Sequence, residues 1–407
     1  MTKQTENFRI DVDTAVRLIA DHMPTYPSES VLLESARGAI LRQQVVAERD
    51  QPPFDRVTMD GIAIRSSALA AGARSFRVKG TQGAGVAAIP LGDDGNCTEI
   101  MTGALLPNDA DTVVPVERIE RNGDDVTLES GYQPNPGQFV HRCGSDLKTG
   151  QSLLEPGTLI NAPAMAALTI AGAATVSVAR WPKIAAVSTG DELVDVGNPI
   201  ELFQIRSSND RVIAAALEQR GCTTATRSCL PDDLDALRRA ISTMHDHNDI
   251  LILSGGVSMG KYDYVPQIMD ELGMRLVFHK ILQRPGLPMW FGVSAQDKPV
   301  FALPGNPVSS LVCLIRYVLP AIRTSLGATL AERQTVRLAE TIHFESNLTC
   351  FMPVGLGINA DGDLRASPKP TNTSGDFVSL ARTDGFVELS REQNNFTAGK
   401  PVSFYQW

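Results

Sequence analysis

Paired cysteines, basic charge and long apolar runs are all scarce in this chain, and each scarcity excludes a class of protein. The six cysteines (Cys97, Cys143, Cys222, Cys229, Cys313 and Cys350) include no CxxC pair. That pattern suits neither a zinc site nor a secreted disulfide framework, and it predicts reduced thiols in the cytoplasm. Lys and Arg number 37 against 46 Asp and Glu, a formal charge of −9. Such a field opposes nucleic acid and anionic membrane, which both need a basic face, so any anionic substrate must be held by local groups. The stretch APAMAALTIAGAATVSVA at 162–179 is long enough to suggest a membrane span. Its Ala, Thr, Ser and Gly content reads better as a helix ending at Gly172 followed by a strand over 175–178. The terminus MTKQTENFRI has no apolar core of a signal peptide, so export is not expected.

What remains is an ordinary globular composition, 43% hydrophobic and 20% charged over 407 residues, enough chain for about three domains. Val12, Ala15, Val16 and Ile19 fall on one face of a helix over 12–22, with Asp11 or Asp13 available as its cap. From 51 to 146, short apolar runs separated by Gly, Asn and Asp turns predict a small β-domain. From 183 to 327, strand, loop and helix alternate three times, with a further helix over 210–220. This is the pattern of an α/β domain whose buried strands run parallel. Beyond 331 the runs TVRLAETIHF, CFMPVGLGI, DGFVELS and PVSFYQW predict an all-β domain of about five strands.

In an open α/β sheet, ligands bind beyond the carboxyl ends of the strands. The loop Ser188-Thr189-Gly190-Asp191-Glu192 offers small residues and then two carboxylates, a set suited to Mg²⁺ together with phosphate or to a capped helix start. The loop SGGVSMGKYD, 254–263, supplies Gly255 and Gly256 for close backbone approach, Ser258 as a donor and Asp263 as a carboxylate. We read it as the floor of a phosphate- or oxyanion-handling site. In the third loop, Pro304-Gly305-Asn306-Pro307 is stiff, and Pro307 can begin a helix.

Other patterns compete. Gly256, Ser258 and Gly260 match the GxSxG nucleophile elbow of a serine hydrolase, but only His279 and His343 follow and no HGGG segment accompanies them. Gly83, Gly85 and Ala88 match GxGxxA, yet Pro90 leaves no room for the helix that would hold a pyrophosphate. His245 and His247 are spaced like zinc ligands without a third, and read as a solvated helix end.

Taken together, PPFDRVTMDGIAIR, IMTGALLPNDADTVVPVE, VSTGDEL, SGGVSMGKYDYV, RPGLP and LPGNPVSS occur in the order and spacing of the molybdopterin molybdenumtransferase family, which includes the gephyrin E domain. The chain resembles that family over nearly its whole length, least in the carboxyl-terminal domain. The resemblance implies an elongated multidomain chain of class α/β plus β. It comprises an α/β molybdopterin-binding domain with a parallel sheet core (1–27 and 181–327), a linking α+β domain (28–50 and 147–180), an inserted β-domain (51–146) and a carboxyl-terminal barrel-like β-domain (328–407). It implies a homodimer that inserts molybdate into adenylylated molybdopterin and releases AMP with Mg²⁺. The molybdopterin adenylyltransferase and apo-molybdoenzymes would be partners; nucleic acid and membrane would not.

By the same resemblance, Asp60, Thr102, Glu192 and Asp263 carry the chemistry, with Asp60 and Thr102 arriving across the dimer interface. Asp191, Glu192 and Asp263 are the metal carboxylates. Ser188, Thr189, Gly190, Gly255, Gly256, Ser258, Lys280, Arg284, Gly305 and Asn306 hold the substrate, while Pro304, Pro307 and Ser309 shape its molybdate end, which Ser374 approaches. The chain departs from the family where KPGKP becomes RPGLP, with Leu287 in place of a lysine. Pro353 stands in place of an arginine, and a basic run is reduced to His141-Arg142-Cys143. These departures motivate a second reading, a divergent relative that binds the pterin nucleotide or serves as an assembly scaffold. A related adenylyltransferase would lack the Asp60 and Thr102 domain.

Overall fold

A computed structural model describes residues 9–257, 263–329 and 332–407 of the protein. The chain divides into two compact units. One holds Met1–Gln43, Pro156–Ala162 and Thr175–Trp407, and the other Gln44–Glu155 and Pro163–Ala174. The expected linking segment is shared between them, because its strands pair in two separate places. Ser28–Leu32 pairs with Thr175–Ala179 in the first unit, and Val45–Val46 with Ser152–Leu154 in the second.

The first unit is built on a six-stranded sheet. Its strands are β1 (Ile184–Thr189), β2 (Ala225–Leu230), β3 (Ile250–Ser254), β4 (Arg275–His279), β5 (Trp290–Val293) and β6 (Pro299–Leu303), in the order β2-β1-β3-β6-β5-β4. The first four in that order run parallel. β1, β3 and β6 are buried along their whole length, which is why they read as unbroken apolar runs. β5 and β4 run antiparallel at one edge. The loop Ser294–Lys298 between β5 and β6 is a tight turn closed by Ser294 N–H donating to the Lys298 carbonyl, and so short a connection permits only antiparallel pairing.

Helices cover the sheet. Helix α1 (Val12–His22) starts where Asp11 Oδ1 accepts the Thr14 N–H at 2.8 Å, and it buries Val12, Ala15 and Ile19. Helix α2 follows β1 over Asn209–Glu218, close to the expected span, and α3 covers Leu234–His247 with Asp233 as its cap. Pro307 opens the helical run Pro307–Ser325, the one run among the described residues long and apolar enough to cross a membrane. Its window is 83% buried inside the protein, so its apolar character serves the core. Pro320 has no N–H to give the preceding turn, and the run widens into a π turn over Leu314–Val318.

The carboxyl-terminal strands β7 (Thr335–Leu338), β8 (Thr349–Ile358), β9 (Leu364–Pro368), β10 (Gly385–Leu389) and β11 (Pro401–Gln406) pair in the order β8-β9-β7-β11-β10, and β10 returns to β8. This is the expected five-strand domain, closed into a barrel, which leaves no open edge.

The second unit carries a six-stranded sheet in the order Thr112–Pro115, Gly61–Ile64, Asn96–Ile100, Ser75–Gln82, Asp125–Leu128, Ile119–Asn122. Gly61 explains itself here: a Cβ would lie 1.9 Å from the Val114 carbonyl oxygen of the paired strand.

Candidate functional site

At the carboxyl ends of β1, β3 and β6 lies a cavity of about 490 Å³. β1 ends in Ser188 and Thr189, with Glu192 just beyond; β3 ends in Ser254, Gly255 and Gly256; and β6 leads into Pro304–Pro307. Asp263 lines the same cavity. The three loops singled out from sequence therefore converge, as the strand order requires. Ser258 lies outside the described residues.

Gly255 and Gly256 line this cavity, and their missing side chains also let two strand ends approach. Gly255 and Gly256 have φ of +104° and +65°, and a Cβ on Gly255 would meet the Thr189 carbonyl oxygen at 2.6 Å. The close backbone approach is thus between two strand ends, and the Gly255 N–H donates to the Leu303 carbonyl, not outward to a ligand. Gly190 likewise makes room for a neighbour, since a Cβ there would lie 2.6 Å from Glu192 Oε2. The Ser188 hydroxyl accepts the Asp210 N–H at 3.0 Å, so it anchors α2 beneath the cavity. Asp210 in turn pairs with Arg227 at 2.6 Å. Asp191 spends Oδ1 on the Asp232 N–H at 3.0 Å and does not line the cavity. Lys280, with φ of +78°, forms the turn after β4, its backbone joined to Met289 and Ile10, and lines neither this cavity nor the next.

Three residues that the motifs did not flag complete the cavity. Asn209, at the start of α2, gives its Nδ2 to Ser254 Oγ and to the Gly305 carbonyl, both at 2.8 Å, tying two strand-end loops together. Its Oδ1 is buried with no hydrogen-bond partner among the described residues, and so is Asp232 Oδ1. Arg206 is the one cation in the lining among the described residues. Burial, then the charges of Asp191, Glu192 and Asp263, push the Asp232 carboxyl above the usual carboxylate range. The available signals were weak ones: the polar cluster SSND before an amphipathic helix, and an aspartate next to the helix cap Asp233. Among the described residues no three His, Cys, Asp or Glu side chains form a ready-made metal cage.

A second cavity of about 610 Å³ shares Pro288 and Asn306 with the first. Arg284, Ser309 and Ser374 line it, and the Ser374 carbonyl accepts the Val308 N–H at 3.0 Å, holding its loop to the helix start. Leu287 and Pro353 both line this cavity, where Arg284 is the one cation among the described residues.

Asp60 and Thr102 meet in the second unit. Asp60 Oδ1 accepts the Thr102 N–H at 2.6 Å and its hydroxyl at 2.8 Å, and these two bonds hold the exposed carboxyl below the usual range. Nearby in sequence, Arg142 is paired with Asp55 at 2.5 Å and His141 with Asp146 at 2.8 Å.

Family models describing the MoeA N-terminal region (domain I and II), a probable molybdopterin binding domain and the MoeA C-terminal region (domain IV) match residues 10–172, 185–324 and 335–407. A molybdopterin molybdenumtransferase of Synechocystis is 37% identical, covering 98% of this chain and 100% of its own. One of Staphylococcus aureus is 33% identical, covering 97% and 94%. The crystal structure of a molybdopterin biosynthesis protein from Pyrococcus horikoshii OT3 matches with a TM-score of 0.81 at 25% identity, covering 98% of this chain and all of its own.

Proposed function

The chain belongs to the molybdopterin molybdenumtransferase family, and from that premise we propose that it inserts molybdate into adenylylated molybdopterin with release of AMP, a step of molybdenum cofactor biosynthesis. One observation carries the reading: among the described residues the 490 Å³ cavity presents Glu192, Asp232 and Asp263 against one arginine, at a strand edge suited to phosphate. Carboxylates repel an anionic ligand unless a divalent cation comes with it. The donor set fits Mg²⁺, which keeps its waters and takes one or two carboxylates plus substrate phosphate instead of a complete protein cage. Glu192, Asp232 and Asp263 would hold it, with Asp191 positioning Asp232 through the backbone. Mg²⁺, when bound, gathers charge on the phosphate oxygens of the anhydride.

The chain's own residues supply the rest. Asn209 fixes the Ser254 and Gly305 loops and offers its buried Oδ1 as an acceptor for a ligand hydroxyl or amine. Arg206 meets the phosphate end. The 610 Å³ cavity takes the molybdate end, with Arg284, Ser309 and Ser374 as its polar lining. We further propose a homodimer in which the exposed Asp60 and Thr102 pair completes the partner's site, working with the adenylyltransferase that makes its substrate and the apo-molybdoenzymes that take its product. A cytoplasmic setting suits the six free thiols, and burial pushes those of Cys313 and Cys350 up to about 12.

The serine hydrolase reading gains no support, since His279 directs Nε2 to the Val257 carbonyl at 3.2 Å. The deciding assay supplies purified protein with adenylylated molybdopterin, Mg²⁺ and molybdate. AMP release and a product that activates an apo-molybdoenzyme are expected, and no AMP above background would remove the transferase reading.

A further inference from the structure

Away from both cavities, α1, the helical run Pro307–Ser325 and strand β11 enclose a third cavity of about 520 Å³. It shares no lining residue with the other two. Much of its wall is apolar, contributed by Val16, Ile19, Ile315 and Leu319. Its charge is of one sign. Arg220, Arg316, Arg323 and Arg333 line it and, among the described residues, no Asp or Glu does, in a chain whose net charge is −9.

Structural roles account for part of this cluster. Arg316 is 3% exposed; its Nε donates to Glu388 Oε2 at 2.9 Å, and its guanidinium lies 5.2 Å from the Tyr405 ring centre. Its Nη2 is nonetheless buried without a hydrogen-bond partner among the described residues. That nitrogen is in ion-pair range of Asp13, at 4.0 Å and on a side chain 86% exposed. Arg220 donates Nη1 to the Ala216 carbonyl at the end of α2, and Arg323 sits in the last turn of its helix, where a cation suits the dipole. None of Arg220, Arg323 and Arg333 has a carboxylate within ion-pair distance among the described residues. Burial and the charge of Arg323 push the Arg220 guanidinium below its ordinary value, so the two cations act on one another uncompensated.

A half-buried group of like charges is relieved by an anion that accepts charge-assisted hydrogen bonds. Apolar walls add that this anion carries an apolar body. We infer that this cavity is a binding site for a small aromatic carboxylate, its carboxylate on Arg220 and Arg323 and its ring against Val16, Ile315 and Leu319. The site is separate from the transferase cavities and stands whether or not the transferase reading does.

Calorimetric titration of the full-length protein with 2-naphthoate tests this, with 2-naphthamide as the uncharged counterpart and inorganic phosphate as the anion without a ring. Saturable binding of naphthoate is expected, weakened about tenfold or more in Arg323→Gln, the scale of one lost charge-assisted hydrogen bond. Ala20→Trp, which fills the cavity from an exposed helix position, is expected to weaken binding similarly. Naphthamide is expected to bind far more weakly and phosphate not to compete. AMP release, which uses neither residue, serves as the folding control. Unchanged naphthoate affinity in both variants overturns the inference, and so does naphthamide binding as tightly as naphthoate, displacement by phosphate, or no naphthoate binding to the parent protein.

Discussion

Asp232 shows how far a single side chain is set by its surroundings. Burial and the neighbouring Asp191, Glu192 and Asp263 raise its pKa in the folded chain. A raised carboxyl pKa means that folding favours the protonated form. Its contribution to stability is therefore complete below the ordinary carboxylate range and is lost as pH climbs through the raised value. Asp232→Asn is accordingly expected to raise the thermal midpoint at about pH 7 and to leave it unchanged at about pH 3, while weakening Mg²⁺ stabilisation. A scan of both proteins across pH checks this, and a lower midpoint for the variant at neutral pH would contradict the assignment. Leu287 is the converse case, an apolar side chain in a cavity with Arg284 as its one described cation. Leu287→Lys is expected to lower the molybdate concentration for half-maximal AMP release by about tenfold, the effect of one added charge-assisted contact. An unchanged requirement would show that cation supply at this position does not limit the reaction. Neither residue stands out by type, and what matters about each is the charge of its neighbours.

At the scale of elements, α1 was the most readable from sequence. Its spacing of Val12, Ala15 and Ile19 gave the buried face, and of two available caps the structure uses Asp11. The Thr14 N–H holds the Asp11 carboxyl below the usual range, so the cap is strong above that range and is lost as pH falls through the lowered value. Asp11→Ala is expected to cost about 1 kcal/mol in the first unit's unfolding transition near neutral pH, measured by urea titration, and less in acid. The strand-end loops were readable by position but not by function. Sequence placed Gly255 and Gly190 against ligand, and the structure adds that their missing side chains make room for Thr189 and Glu192. Asn209 was not readable at all, because its importance comes from bonds to Ser254 and Gly305, 45 and 96 residues away.

For the whole molecule, the proposed dimer carries a sharp consequence. If Asp60 of one chain serves the cavity of its partner, then Asp60→Ala and Asp263→Ala, each inactive alone, complement one another when mixed and refolded or coexpressed. Random pairing of equal amounts gives half heterodimers with one intact site each, so about a quarter of parental AMP release is expected. No recovery would place both residues in the site of a single chain. Sequence by itself determined the order of elements, the three strand-end loops and the family, because helix and strand periodicity and short motifs are local and survive without coordinates. The ring of Asp191, Glu192, Asp232 and Asp263, the bonds of Asn209 to two strand-end loops and the arginine cavity were decided only by tertiary structure. Each joins residues far apart in the chain, and the charge and hydrogen-bond balance of a cavity is a property of what meets there, which no single segment carries.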